Sequence, residues 1–134
     1  MDGARRASFT LQRDPTEVRQ ARQHVARACD GLARDLVEIA QLLATELVTN
    51  ALDHGAGEIT LGITRSDHDL RVDVGDDAPG RPRASTPGSD QVRGRGMLLV
   101  EAMAAAWGVE PPADKGKRVW FRLRIGAPVG SGRR

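Results

Sequence analysis

At 134 residues the chain is long enough for one packed core and too short for two domains. Its 40% hydrophobic content contains no apolar run near the ~20 residues that a helical membrane span needs, which excludes such a span. Net charge is +2, and the basic residues form no continuous stripe, which argues against nucleic acid as the partner.

Arg5 and Arg6 near the start have no apolar stretch behind them, so no signal peptide is expected. The single cysteine, Cys29, excludes an internal disulfide and provides no metal cluster; it reads as a small buried residue. A cytoplasmic protein is the expectation. From Asp35 to Thr60 every charged side chain is acidic, whereas from Lys115 to the end every one is basic.

Residues 1–7 read as a flexible N-terminus, 8–125 as the folded domain and 126–134 as a flexible tail. Ser8 to Gln12 predicts a short edge strand. Asp14-Pro15-Thr16-Glu17 then opens a helix, with Pro tolerated in the first turn and acidic groups suited to its positive end. Val18, Ala21, Val25 and Ala28 keep its apolar stripe until Gly31 interrupts it. A second helix is expected from about Leu36 to Asp53, with Leu36, Ala40, Leu43, Leu47 and Ala51 as its seam and Gly55 and Gly57 beyond its end.

Two alternating segments follow, Glu58–Thr64 and Asp69–Gly75, joined by a polar link that predicts a hairpin. Asp73 should point away from Val72 and Val74, toward solvent or a polar edge. Asp77 to Arg93 holds Pro79, Pro82 and Pro87, so it reads as a long functional loop rather than a core element. A helix over Gly96–Ala106 carries one charge, Glu101, which predicts that most of its circumference is covered. Trp107–Val109 is a brief strand, with Trp107 packed under the last one, Arg118–Ile125. That last strand points Val119, Phe121, Leu123 and Ile125 one way and Arg118, Trp120, Arg122 and Arg124 the other. Together these predict an α+β fold, a two-layer sandwich of a mixed, mostly antiparallel sheet covered by about three helices.

Chemistry concentrates in three separated places. Glu46 and Asn50 lie one helical turn apart and project together, a carboxylate and an amide oxygen that suit a nucleophile and a divalent metal. Asp76, just past an apolar strand, is placed to accept from an amino group. Gly94 and Gly96 open a helix whose free N–H groups and positive end favour phosphates. Each has a plainer reading: a polar helix stripe, a turn initiator and a helix entry. His54 reads as a residue of the helix C-terminal turn, and the scattered His24, His54 and His68 support no zinc site.

In this order and spacing the motifs closely resemble those of the histidine-kinase-like ATPase fold shared by gyrase, Hsp90, MutL and two-component kinases. The nearest likeness is to anti-sigma factor serine/threonine kinases of the RsbW and SpoIIAB type, in their actinobacterial group. Glu46-Leu-Val-Thr-Asn50-Ala-Leu-Asp-His54-Gly55 resembles the N box, and Val72-Asp-Val-Gly-Asp76-Asp-Ala78-Pro-Gly80 the adenine box. Arg93-Gly94-Arg95-Gly96-Met97-Leu-Leu-Val100 resembles the phosphate box, and Gly116-Lys-Arg-Val-Trp-Phe121 the closing strand. The resemblance covers roughly Phe9 to Ile125.

It implies ATP and Mg²⁺ as cofactors. Glu46 would orient or deprotonate the attacking hydroxyl, and Asn50 would ligate Mg²⁺. Asp76 would take the adenine amino group beside Ala78 and Gly80. Arg93, Gly94, Arg95, Gly96 and Met97 would line the phosphate side, and Asp77–Arg93 would be the lid. Ala78 stands where the family's box has a glycine, and Arg118 stands near the place of a common threonine.

The activity implied is serine/threonine protein kinase. Its partners would be an anti-sigma-factor antagonist, which it phosphorylates, and a sigma factor, which it sequesters. The alternative is a non-catalytic, nucleotide-responsive interaction module of the same fold. The Arg118, Trp120, Arg122 and Arg124 face is expected to meet a partner or form a homodimer contact.

Overall fold

The computed structural model describes residues 4–78, 97–110 and 116–126. Its elements are strand β1 (Arg5–Leu11), helices α1 (Glu17–Ala28) and α2 (Arg34–His54), and strands β2 (Ile59–Arg65) and β3 (Asp69–Asp76). A third helical stretch over 97–103 (α3) precedes β4 (Ala106–Glu110) and β5 (Lys117–Arg124). The strands form one sheet in the order β1-β2-β3-β5-β4, and each neighbouring pair is antiparallel. The fold is the expected α+β sandwich, with no parallel pairing among the described strands.

Alternation decides the layers. Ile59, Leu61 and Ile63 of β2, Leu70, Val72 and Val74 of β3, and Phe121 and Leu123 of β5 share the buried side of the sheet. Ala21 and Val25 of α1, Leu43, Leu47 and Val48 of α2, and Met97 and Val100 of α3 pack with them in one core. Cys29 belongs to the same core, and burial pushes its thiol up. Trp107 packs against the core from β4. The expected hairpin joins β2 to β3, and Ser66 closes it by donating its N–H to the Asp69 carbonyl at 2.9 Å.

Two expectations are corrected. Residues 5–7 are not a loose lead-in but the first part of β1, paired with Arg65, Thr64 and Ile63. Apolar patterning could not show this, because the exposed extension is held by main-chain pairing to β2 and by the Arg6 side chain rather than by buried apolar residues. Helix α3 is covered on its Met97 and Val100 side only; Leu98 is 62% and Met103 39% exposed. A low charge count therefore marked an apolar surface rather than a surrounded helix. Among the described residues no helix is long and apolar enough to cross a membrane.

Candidate functional site

Helix α2 carries the first pair. Its core face buries Leu43, Ala44, Leu47, Val48 and Ala51, which leaves Glu46 and Asn50 together on the flank, both half-buried. Neither side chain makes a hydrogen bond or ion pair with any described residue. A half-buried carboxylate and amide on one flank, their polar atoms unengaged among the described residues, are open to an external ligand.

The end of this helix is fastened from a distance. Arg13, in the β1–α1 loop, donates from Nη2 to the carbonyls of Leu52 at 2.7 Å and Ala51 at 2.9 Å. It also reaches the carbonyls of Gly55 and Gly57, each at 3.3 Å. The Leu52 carbonyl is one that the helix leaves without an internal partner, whereas that of Ala51 also accepts the Gly55 N–H at 2.9 Å; a guanidinium there also meets the negative end of the dipole. His54 lies in that last turn as expected, exposed and with no hydrogen bond to these carbonyls among the described residues.

Asp76 ends β3 on the core side of the sheet, its side chain only 3% exposed. Its Oδ1 accepts from the Ala78 N–H at 2.6 Å and, more weakly, from the Ala56 N–H at 3.4 Å. Lys117, directly opposite on β5, donates to Oδ1 at 3.3 Å and to Oδ2 at 3.2 Å. Gly55 closes the remaining side, where an added Cβ would lie 2.5 Å from Oδ2 and 2.7 Å from the Ala51 carbonyl. Gly116 turns into β5 at a φ of 83°, beside the Asp76 carbonyl, in a conformation that side chains disfavour. The neighbouring Asp77 accepts from the Glu58 N–H at 3.2 Å and donates its own N–H to the Ala56 carbonyl at 2.8 Å. Asp76 and Asp77 thus lock the α2–β2 loop, and with it the end of α2, onto β3.

Ala78 makes the Asx-type turn without a positive φ, so the missing glycine leaves no left-handed strain here. Met97 is 6% exposed and sits in the core. Gly80, Arg93, Gly94, Arg95 and Gly96, and with them most of the Asp77–Arg93 loop, lie outside the described residues.

Two residues read from sequence differ from expectation in burial or neighbours. Asp73 is on the outer sheet face as expected, but it is 2% exposed. Arg6 clamps it at 2.9 Å, and Arg118 lies 3.6 Å away. Arg118 pairs with Gly75 on that outer face, so it does not stand beside Asp76; Lys117 does. The arginine face itself is largely engaged internally. Arg122 pairs with Asp69 at 3.4 Å, Arg71 with Glu110 at 3.3 Å, and the Arg71 guanidinium stacks 4.7 Å from the Trp120 ring centre. A groove of about 640 Å³ between Arg5, Arg27 and Arg65 lies at the opposite end of the sheet, beside the β2–β3 turn, and contains none of the candidate site groups.

The buried acceptor, the Glu46/Asn50 pair and most of the antiparallel sheet lie within one family match: the histidine kinase-like ATPase domain, over residues 11–123. The chain belongs to this family. It is therefore an ATP-binding domain. A comparison with curated proteins returns no relative of the chain.

The residues fit the nucleotide in kind. The Asp76 carboxylate could accept from an exocyclic amine, and the Asn50 amide could offer a neutral oxygen to a cation. Among the described residues no three His, Cys, Asp or Glu side chains gather as a metal cage. Mg²⁺ commonly takes only one or two protein oxygens, together with phosphates and waters, so a single amide oxygen such as that of Asn50 is compatible in kind with such an ion.

Proposed function

We propose that this ATP-binding domain is a serine/threonine protein kinase that phosphorylates an anti-sigma-factor antagonist and itself sequesters a sigma factor. The observation that carries the kinase reading is the Glu46/Asn50 pair, half-buried on α2 and without partners among the described residues. Bound ATP with Mg²⁺ supplies the transferable phosphoryl group and screens its charge. Glu46 orients the acceptor hydroxyl and takes its proton; Asn50 holds the cation through its amide oxygen. Asp76 fixes the base end, and its hydrogen bonds to the α2–β2 loop tie that end to the helix bearing Glu46. Positioning of this kind accounts for most of what a protein adds to phosphoryl transfer.

The outer sheet face suggested by sequence offers fewer free charges than its arginines imply, because Arg118 and Arg122 already have acidic neighbours in their own sheet. Leu98 and Met103 on α3 supply the exposed apolar area that a protein partner buries. The second reading, a non-catalytic switch, draws support from one contact: Lys117 already engages the Asp76 carboxylate.

The deciding experiment incubates the protein with radiolabelled ATP, Mg²⁺ and candidate antagonist proteins from the same cell. Label on an antagonist Ser or Thr, lost in Glu46→Ala, is the expected result. ATP binding without transfer to any candidate favours the switch.

A further inference from the structure

We infer that Lys117 is a displaceable plug on the base-recognition carboxylate, which makes the site selective for nucleosides bearing an exocyclic amino group. The inference rests on the reading of Asp76 as the acceptor for the base.

Backbone pairing builds the contact. Asp76 and Lys117 are directly opposite in the β3–β5 register and share the core side of the sheet, so their side chains meet without any distant segment folding over. An ionised carboxylate offers about four acceptor positions. On Oδ1 the Ala78 and Ala56 N–H groups and the Lys117 ammonium all compete. On Oδ2 the single polar partner among the described residues is Lys117, at 3.2 Å, and the backbone of Gly55 blocks another side. The Lys117 side chain is 20% exposed against 3% for Asp76, so the ammonium is the more accessible half of the pair.

The physics of that arrangement is an exchange. A buried carboxylate with one oxygen bare is costly, and Lys117 offsets this cost while the site is empty. An amino group arriving at Oδ2 donates in its place, and the lysine stem is long and flexible enough to carry the ammonium to water. A base lacking such a donor has nothing to exchange. It must leave Lys117 in place or strip the carboxylate without compensation. Selectivity then comes from a penalty on the wrong base as well as from a bond to the right one.

Two substitutions of opposite effect test this, with adenosine and purine riboside (the same nucleoside without its amino group) as calorimetric probes alongside ATP. Lys117→Met removes the competitor, so adenosine and ATP should bind about tenfold tighter, the worth of one charge-assisted hydrogen bond. Purine riboside should gain nothing. Lys117→Arg replaces a point contact with a two-pronged one and should weaken adenosine binding instead. Unchanged or weaker adenosine binding in Lys117→Met overturns the plug, as does an equal gain for purine riboside. Asp76→Ala separates the two levels: if ATP affinity is untouched by it, the reading of Asp76 falls. If Asp76→Ala weakens ATP but the lysine variants behave alike, the plug alone falls. A thermal melt of each variant accompanies the titrations, and Lys117→Arg still decides between plug and no plug if Lys117→Met does not fold.

Discussion

Arg13 and Leu52 stand 39 positions apart in sequence and 2.7 Å apart in space, the guanidinium of one on the last-turn carbonyl of the other. That bond belongs to a fan of four that ends the helix carrying Asn50. Arg13→Ala should therefore cost about 1–2 kcal/mol, the lower part of the range for charged hydrogen bonds because Arg13 is exposed. Chemical denaturation measures the loss. Hydrogen exchange should localise it to the last turn of α2, and ATP affinity should fall with it. Arg13→Lys should recover only part, since one ammonium cannot reproduce the fork.

Glu46 and Asn50 should separate in kinetics. Glu46→Ala is expected to slow phosphoryl transfer about 10²-fold or more with ATP affinity nearly unchanged, as for loss of a positioned base. Asn50→Ala should lower the affinity for Mg²⁺·ATP while affecting Mg²⁺-free binding less. Calorimetry with and without Mg²⁺ and single-turnover transfer distinguish the two. Equal losses of binding and rate in Glu46→Ala would assign it to the pocket wall.

His24 makes the fold sensitive to acid. Its ring stacks on Phe9 with centroids 3.6 Å apart, and its Nδ1 is buried without a hydrogen-bond partner among the described residues. Burial pushes its titration below the ordinary histidine value; Arg27 adds to that, and Glu17 opposes it. A histidine depressed on folding contributes stability above its unfolded pKa of about 6.5, and that stability is lost as pH falls through the lower folded value. The urea midpoint should fall between pH 7.5 and 5. His24→Phe should flatten that fall if the ring is its cause, and an identical pH profile in the variant would exclude it.

Partner capture should follow α3 rather than the outer sheet face. Leu98→Asp is expected to weaken pull-down of the sigma factor or antagonist at least tenfold, as for a hot-spot residue at a protein interface, with ATP binding preserved. Trp120→Ala should instead lower stability, because Arg71 stacks on that ring, and the ring fills the space where a Gly108 side chain would stand. If Trp120→Ala loses the partner and Leu98→Asp keeps it, the sheet face is the interface after all.

Elements whose apolar period matches their geometry were legible in the sequence: α2 from its seam, β2 and β3 from strict alternation. So was the placing of Glu46, Asn50 and Asp76, since each is fixed by a local period. Contacts made by long side chains across the sequence were not. No local rule connects Arg13 to the α2 end or Arg6 to Asp73. Alternation gave Asp73 the correct face but not its burial, which depends on an arginine 67 positions away. The threonine comparison pointed to Arg118 because family spacing does not show which face a residue takes. Pairing does, and it puts Lys117 opposite Asp76.

Gly62 faces outward, opposite both Ser8 and Asp73, and the Arg6 guanidinium lies across the space its side chain would fill. The solvent side of this sheet therefore contains a keyhole. Any residue larger than glycine there must push aside the end of the Arg6 side chain, which weakens its clamp on the buried Asp73 and loosens the start of β1. A deep mutational scan should find Gly62 as intolerant as the apolar residues on the opposite face, although nothing about its outward orientation would lead a protein engineer to leave it alone.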